Sequence, residues 1–156
     1  MKIESIHVGK PKAFQGDILS SIEKSLVQGS IRLNHENLVG DQQSDLTVHG
    51  GVDKAVYAYP QQHYAYWQQR VGLFRRQRIA LPENPQGALG ENLCLSGCDE
   101  KNILIGDTFQ CGTVILQVTQ PRQPCWKLGH KFQQKKLPQW MVMTGYTGWY
   151  LRVLEE

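Results

Sequence analysis

Short runs in which apolar and polar residues alternate recur along this chain. In residues 113–119, Val114, Leu116 and Val118 would point to one face of a strand and their polar neighbours to the other, with Ile115 as the exception. Further strands are predicted at residues 3–8, 29–33, 55–59 and 148–154, and a hairpin arm is predicted at residues 102–109 with Gly106-Asp107 as its break. The pattern therefore predicts many short β-strands.

Helical periodicity is confined to a few segments. Pro60 suits the first position of a helix, Tyr64, Trp67 and Val71 recur at helical spacing, and Gly72 would end the helix. We interpret this aromatic stripe as core packing, because such periodicity is chiefly a sign of burial. A second, shorter helix is predicted at residues 137–143, whereas residues 18–27 fit either a helix or an irregular strand.

The order of these segments predicts the fold class. The chain has no regular strand–helix alternation and no internal repeat, which argues against a parallel α/β sheet or a repeat array. We therefore expect a mostly-β fold, a barrel with a few peripheral helices. A length of 156 residues predicts one domain, spanning residues 1–156.

Charge and composition limit the partners. The net charge of +3 suits an anionic ligand but is too small to indicate nucleic acid, and the basic cluster Arg75, Arg76 and Arg78 lacks interleaved aromatic residues. A membrane partner is not expected either, since no apolar run approaches the roughly 20 residues of a membrane helix. The N-terminus lacks the core of a signal peptide, so we predict a cytoplasmic protein with reduced cysteines.

The segment 120–128 holds the most promising chemistry. Pro121 and Pro124 would end the preceding strand and stiffen the loop in which Cys125 lies. Arg122 and Lys127 flank this cysteine, and nearby positive charge favours the thiolate, the form that binds metals or attacks electrophiles. A buried, inert cysteine in a proline-rich turn is the alternative.

A second candidate site lies at residues 48–56. Gly50 and Gly51 would let the backbone approach a ligand and turn its N–H groups toward an anion, and His49 and Lys54 flank them. Glycine pairs also mark tight turns before strands, and the spacing does not decide between the two interpretations. A peptidase-like pair of Cys125 with His49 is conceivable, but the sequence cannot place the two side chains within reach.

Other cofactor chemistries find less support in the sequence. Cys94 and Cys98 form one loose pair, and Cys111 stands alone, whereas a structural zinc site needs two close pairs. Neither a dinucleotide fingerprint nor a phosphate-binding loop is present. The chain therefore shows no flavin or nicotinamide site of its own.

Several motifs occur in one order along nearly the whole chain. They are Gly40-Asp41, then His49-Gly50-Gly51 with Asp53-Lys54-Ala55-Val56, then Gly90-Glu91-Asn92-Leu93, Gly106-Asp107 and residues 120–128. This ordered set resembles the MOSC domain family, the molybdenum-cofactor domain shared by molybdenum cofactor sulfurases and the mitochondrial amidoxime-reducing component. The resemblance implies a β-rich, barrel-like fold.

The same resemblance implies a site. Cys125 matches the catalytic cysteine whose thiolate binds the pterin-held molybdenum, and a soft thiolate is a sensible ligand for such a metal. Cofactor-binding residues are then expected among those that match the family's pocket for the pterin and its phosphate: Lys24, His49, Gly50, Gly51, Lys54, Arg122 and Cys125 itself.

The activity implied by the resemblance is reduction of N-hydroxylated compounds, including hydroxylaminopurine-type base analogues. An external flavoprotein reductase would supply the electrons, because the chain carries no second redox centre. The alternative is a module that binds or carries the molybdenum cofactor without turnover. Bacterial members usually continue into a small helical domain, whereas this chain stops at Glu156, so it is expected to be a short member or a truncated one.

Overall fold

A computed structural model of the chain describes residues 1–47, 49–69 and 79–156. Its strands are β1 (Lys2–Val8), β2 (Lys12–Gln15), β3 (Ile18–Ser20), β4 (Ser25–Leu26), β5 (Val56–Pro60), β6 (Leu93–Ser96), β7 (Thr108–Cys111), β8 (Val114–Pro121) and β9 (Trp149–Glu155). Its helices are α1 (Gln62–Gln69), α2 (Trp126–Lys131) and α3 (Leu137–Thr144), with a 3₁₀ turn at Val52–Lys54.

One curled sheet dominates the structure. Seven strands pair in the order β4-β1-β6-β5-β9-β8-β7, and β2 and β3 form a separate hairpin. Every neighbouring pair is antiparallel except β5 and β6, which run parallel. The sheet forms a half-barrel whose outer strands, β4 and β7, do not pair with each other in the described residues. The predicted mostly-β class with a few helices is confirmed.

Each face of the sheet carries its own apolar cluster. Along β5, Val56 and Ala58 pack in a cluster formed mainly by strands, whereas Tyr57 and Tyr59 pack on the opposite face among side chains of the three helices. Alternate residues of a strand point to opposite faces, so a strand buried on both sides reads as continuously apolar. The helices therefore cover the face on which Tyr57 lies.

The predicted strand at residues 113–119 is confirmed with shifted ends. Leu116 and Val118 of β8 are buried, as the alternation predicts, while Thr113 lies in the turn before the strand. Pro121 does not lie beyond the ladder, because it is the last residue of β8 and pairs with Trp149. The ladder thus ends between the two prolines.

Three sequence-based predictions are wrong. The strand predicted at residues 102–109 is present only at its end, because β7 begins at Thr108 and residues 102–107 form turns and irregular backbone. Pro60 is the last residue of β5 and not the start of a helix, and α1 begins at Gln62. Residues 29–33 form no strand, and Leu33 makes only an isolated bridge with Leu38. The predicted positions of Val71, Gly72 and the arginine cluster at residues 75–78 lie outside the described residues.

No helix in the described part of the chain is a candidate for crossing a membrane. None of them combines the length and the apolar character that a span needs.

Candidate functional site

A pocket of about 620 Å³ lies beside the segment that joins β8 to α2. Five of the seven residues predicted for the site line this pocket: Lys24, His49, Lys54, Arg122 and Cys125. Four cations and one carboxylate are among its lining residues, the cations being Lys24, Lys54, Arg122 and Lys127 and the carboxylate Asp41. We call it the cationic pocket. Its charge suits an anionic ligand.

The backbone after β8 places Arg122 and Cys125. The Arg122 N–H donates to the Gly148 carbonyl at 3.0 Å, which fixes the chain just beyond Pro121. Gly148 has a φ of 68°, and a Cβ there would lie 2.3 Å from the Ala58 carbonyl oxygen. Only glycine fits this position, so the close approach of the two backbones depends on it. Cys125 itself is extended and immediately precedes α2.

Cys125 differs from Cys94 and Cys98 in its acidity. Burial would raise the pKa of its thiol, but a hydrogen bond with His49, the Arg122 charge and the Lys127 backbone N–H together lower that pKa to about 7. Burial instead raises the pKa of Cys94 to about 12 and also raises that of Cys98. At neutral pH, Cys125 is therefore the cysteine of these three with a large thiolate fraction.

Arg122 is a buried cation, and one nitrogen of its guanidinium group is available to a ligand. Its side chain packs over the Tyr57 ring, with Cζ 4.7 Å from the ring centroid, and the residue is 7% exposed. Its Nη1 atom has no hydrogen-bond partner in the described residues. A buried donor without a partner is costly, which makes this nitrogen a natural contact for an anion in the pocket.

A polar network holds Lys24 in the pocket wall. Its Nζ donates to Asp41 Oδ1 at 2.5 Å, and the two side chains are 7% and 2% exposed. Asp41 also accepts from the Gly9 N–H at 2.7 Å and from Asn92 Nδ2 at 2.9 Å. A buried ion pair needs such further hydrogen bonds to offset its desolvation. The network therefore fixes Lys24 as a rigid, charged part of the wall.

Lys127 joins two segments of the pocket wall. Its Nζ donates to the Leu19 carbonyl at 3.0 Å and to Ser44 Oγ at 3.2 Å, so α2 is tied to β3 and to the loop after Asp41. Lys54 ends the 3₁₀ turn and lies 6.0 Å from the centroid of the Tyr150 ring. Both lysines line the cationic pocket.

Gly50 and Gly51 do not line the pocket. A Cβ on Gly50 would lie 2.8 Å from Leu46 Cδ2, and Gly51 has a φ of 87° as it enters the 3₁₀ turn. Both glycines are accounted for by the turn, which was the alternative interpretation of the pair. Their assignment as cofactor contacts stays a prediction.

Sequence reasoning did not assign several residues that build the pocket. Asp41, Asn92, Tyr57 and Tyr150 all line it. The signal for two of them was present, because Gly40-Asp41 and Gly90-Glu91-Asn92 belong to the ordered motifs. Nothing in a single sequence shows that these polar residues are buried, since their partners lie far away along the chain.

The sequence model of the MOSC domain matches residues 45–156. The chain belongs to the MOSC domain family. The region matched holds His49, Lys54, Arg122 and Cys125, whereas Lys24 and Asp41 precede it. The prediction that residues 1–156 form a single MOSC domain stays a prediction.

Similar proteins come from bacteria and a fungus. The chain is 42% identical to the uncharacterized protein YflK of Bacillus subtilis (strain 168), over 97% of this chain and 66% of YflK. It is 37% identical to the protein YiiM of Escherichia coli (strain K12), over 96% of this chain and 64% of YiiM. A protein named reductase from Gibberella moniliformis (strain M3125 / FGSC 7600) is 33% identical over 94% of this chain and 25% of its own length. This MOSC chain thus spans about two thirds of the length of its bacterial relatives.

Solved structures agree with this assignment. The crystal structure of YiiM from Geobacillus stearothermophilus is similar with a TM-score of 0.71 and 37% identity, over 99% of this chain and 68% of that chain. The predicted MOSC-type fold is confirmed by this similarity together with the half-barrel sheet.

The residues of the cationic pocket fit the cofactor associated with MOSC domains, which is the molybdenum cofactor. No group of three or more His, Cys, Asp or Glu side chains in the described residues could hold a bare metal ion. The pocket instead offers one soft sulfur donor, Cys125, next to the unpartnered buried Nη1 of Arg122. A single thiolate with surrounding cations suits a metal that arrives with its own anionic organic ligand.

Proposed function

We propose that this MOSC domain binds the molybdenum cofactor through Cys125 and reduces N-hydroxylated compounds, such as hydroxylaminopurine-type base analogues. An external flavoprotein reductase would be the electron donor. The observation that carries the proposal is the thiol of Cys125, with a pKa of about 7, beside a buried Arg122 that has an unpartnered nitrogen. The family's association with this cofactor and the reductase among the relatives support an oxidoreductase-like role.

Each pocket residue would have a defined task. The Cys125 thiolate would bind the metal, and the hydrogen bond with His49 would keep that sulfur deprotonated near neutral pH. Arg122 Nη1 would donate to an anionic group of the cofactor, with Lys24, Lys54 and Lys127 adding positive charge around it. When bound, the cofactor supplies the two-electron redox chemistry that cleaves the N–O bond.

The overall reaction is balanced by two electrons and two protons. The N–O bond of the substrate breaks, the nitrogen remains as an amine, and the oxygen leaves as water. The two electrons come from the external reductase, because no flavin or nicotinamide site was found in the sequence. The substrate, the reductase and a cytoplasmic location are parts of the proposal.

A module that carries the cofactor without turnover is the alternative. It needs the same thiolate and the same cations, so the pocket serves both functions. The cofactor-loaded protein should reduce 6-hydroxylaminopurine to adenine when reduced viologen supplies the electrons, with the product measured by chromatography. Full molybdenum loading without any product would favour the carrier.

The role of Cys125 is tested by metal content. Cys125→Ser should lose molybdenum retention while its unfolding temperature stays close to that of the parent, because the residue is only half-buried. Cys111→Ser, at the end of β7 and also half-buried, is the matched control and should retain the metal. Equal molybdenum content in Cys125→Ser and the parent would overturn the assignment.

A further inference from the structure

A second pocket, of about 820 Å³, adjoins the cationic pocket. The two share His49, Lys54, Cys125, Lys127 and Tyr150. Residues of the second pocket that do not line the first are Asp45, Gln120, Pro121, Gln123, Pro124 and Trp126. Cys125 therefore lies at the boundary between two cavities of different character. We call the second one the Trp126 pocket.

Trp126 is the exposed member of the tryptophan set. It is 50% exposed, whereas Trp67, Trp140 and Trp149 are 2%, 7% and 3% exposed. Covering a half-exposed indole removes apolar surface from water, and this indole lies directly beside Cys125 in the chain. A planar ligand would gain by covering it.

The Trp126 ring is held in position by two aromatic neighbours. The rings of Phe14 and His130 approach it in tilted, edge-type contacts, with centroids 6.0 and 6.2 Å away. Phe14 and His130 also contact each other at 5.0 Å. A ring fixed by two neighbours loses little freedom when a ligand stacks on it, which favours binding.

The remaining walls suit the edge of a heterocyclic base. Gln120 and Gln123 both line this pocket, and their amides carry donors as well as acceptors. Bases combine a π-face with a mixed donor and acceptor edge, and stacking on an aromatic side chain serves any such ring. An aliphatic N-hydroxylated compound could use the thiolate side of the site but not the indole.

We propose that the Trp126 pocket binds the ring of the substrate, stacked on Trp126, with its N–OH group directed toward Cys125. The cofactor would occupy the cationic pocket on the other side of the same sulfur. This inference rests on the proposed function and assigns Trp126 as the residue that favours planar heteroaromatic substrates over aliphatic N-hydroxylated compounds.

The test measures binding on the cofactor-loaded, oxidised protein without an electron donor, so that no turnover occurs. Calorimetry gives the dissociation constants of 6-hydroxylaminopurine and adenine for the parent, Trp126→Leu, Trp126→Phe and Met143→Ala. Leucine keeps apolar bulk against Phe14 but lacks a π-face, whereas phenylalanine keeps a smaller ring. Met143 is 75% exposed on α3 and lines neither pocket, so its variant is the matched surface control.

Trp126→Leu should bind both purines roughly 10- to 100-fold more weakly, which corresponds to the loss of one stacked base. Trp126→Phe should lose less than Trp126→Leu, and Met143→Ala should match the parent. In the parent, adenine should shield tryptophan fluorescence from acrylamide, since the other three indoles are buried. Molybdenum content should be equal in all four proteins.

Three results would each overturn the inference: equal dissociation constants in Trp126→Leu and the parent, a parent that binds neither purine, or the same KM for 6-hydroxylaminopurine in both proteins. Failure of the proposed function looks different, because Trp126-dependent purine binding would persist while no N-hydroxylated compound turned over. Turnover with that unchanged KM would overturn the role of Trp126 while leaving the proposed function intact. The ratio of kcat/KM for 6-hydroxylaminopurine to that for acetohydroxamic acid, an aliphatic N-hydroxylated compound, measures the selectivity. This ratio should be lower in Trp126→Leu than in the parent.

Discussion

At the scale of single residues, the acidity of Cys125 depends on its neighbours. Burial alone would suppress the thiolate, as it does at Cys94. His49, Arg122 and the backbone N–H of Lys127 reverse that effect. The chemistry of the site therefore resides in how the loop after β8 and the loop before the 3₁₀ turn meet.

Alkylation measures this acidity directly in cofactor-free protein. The rate of Cys125 modification by iodoacetamide should rise with a midpoint near pH 7, because only the thiolate reacts. His49→Ala should move the midpoint upward, since it removes a hydrogen bond that favours the charged form. Peptide mass spectrometry follows each cysteine separately, and Cys94 should stay unmodified. A midpoint near 9 in the parent would contradict the assigned neighbours.

Arg122 gives a second prediction at this scale. Arg122→Ala should weaken binding of the molybdenum cofactor by roughly 1.5–3 kcal/mol, the value of one hydrogen bond between charged groups. Cofactor affinity is measured at moderate salt, and the unfolding temperature of each variant reports on folding. Arg32→Ala, at an exposed position outside the pocket, is the control. Unchanged affinity in Arg122→Ala would mean that Nη1 makes no contact with the cofactor.

At the scale of elements, the loop before β6 is closed by a buried carboxylate. Glu91 is fully buried and accepts from the Gly87 N–H at 2.6 Å and the Leu89 N–H at 3.1 Å. Burial raises the pKa of this carboxyl to about 7, although those hydrogen bonds oppose the change. The loop positions Asn92, which in turn holds Asp41 in the wall of the cationic pocket.

This carboxyl makes stability depend on pH. Between pH 4.5 and 7 the unfolded chain releases the Glu91 proton while the folded chain keeps it, so stability falls as pH rises. The loss should approach roughly 3 kcal/mol above pH 7. Glu91→Gln has no carboxyl group to titrate, so its stability should lack this dependence on pH. Its amide offers one oxygen, in place of two, to the N–H groups of Gly87 and Leu89.

Denaturant unfolding at pH 5 and pH 8.5 compares the two proteins. The free energy of unfolding of the parent should fall by about 3 kcal/mol relative to that of Glu91→Gln between pH 5 and pH 8.5. Glu23→Gln is the control, because Glu23 is exposed and its salt bridge with Lys131 is 3.1 Å long. Parallel pH profiles for the parent and Glu91→Gln would contradict the raised pKa.

Elements with a strong local pattern could be predicted from the sequence, and the others could not. β1, β8, β9 and α3 follow their apolar patterns closely. Pro60 was wrongly predicted to start a helix, because the strand at this point needs no N–H from it. The N–H that pairs with Leu95 comes from Gln61, and the pairing with β9 ends at Ala58, so the strand tolerates a proline there. Residues 29–33 have strand-like composition but no partner strand beyond the bridge at Leu33.

The candidate site also divides into residues that a local pattern predicts and residues that it does not. Cys125 and Arg122 were predicted because their loop has a recognisable composition, and the structure brings them together with Lys24, His49 and Lys54. Asp41 and Asn92 could not be assigned, because their burial depends on partners as distant as 32 and 51 positions along the chain. Long-range contacts of this kind leave no local signal in one sequence.

At the scale of the whole molecule, the half-barrel gathers distant loops around one sulfur. The cationic pocket draws on the segment before β4, the loop before the 3₁₀ turn, the strands β5 and β9, and the start of α2. The sheet order makes these segments neighbours although they span residues 20 to 150. One thiolate can therefore face an anion-binding cavity and a cavity with an aromatic wall.

The source of electrons is the last prediction. Reduction of an N–OH group takes two electrons per turnover, and nicotinamide delivers them as hydride through a dedicated site or a flavin. The sequence contains no dinucleotide fingerprint, so the cofactor-loaded chain alone should not oxidise NADPH in the presence of 6-hydroxylaminopurine. Addition of a flavoprotein reductase should start NADPH oxidation in proportion to adenine formed, followed by absorbance and chromatography. Cys125→Ser in the same mixture is the control for uncoupled oxidation, and steady, coupled NADPH oxidation by the isolated chain would reveal a nicotinamide site that the sequence does not disclose.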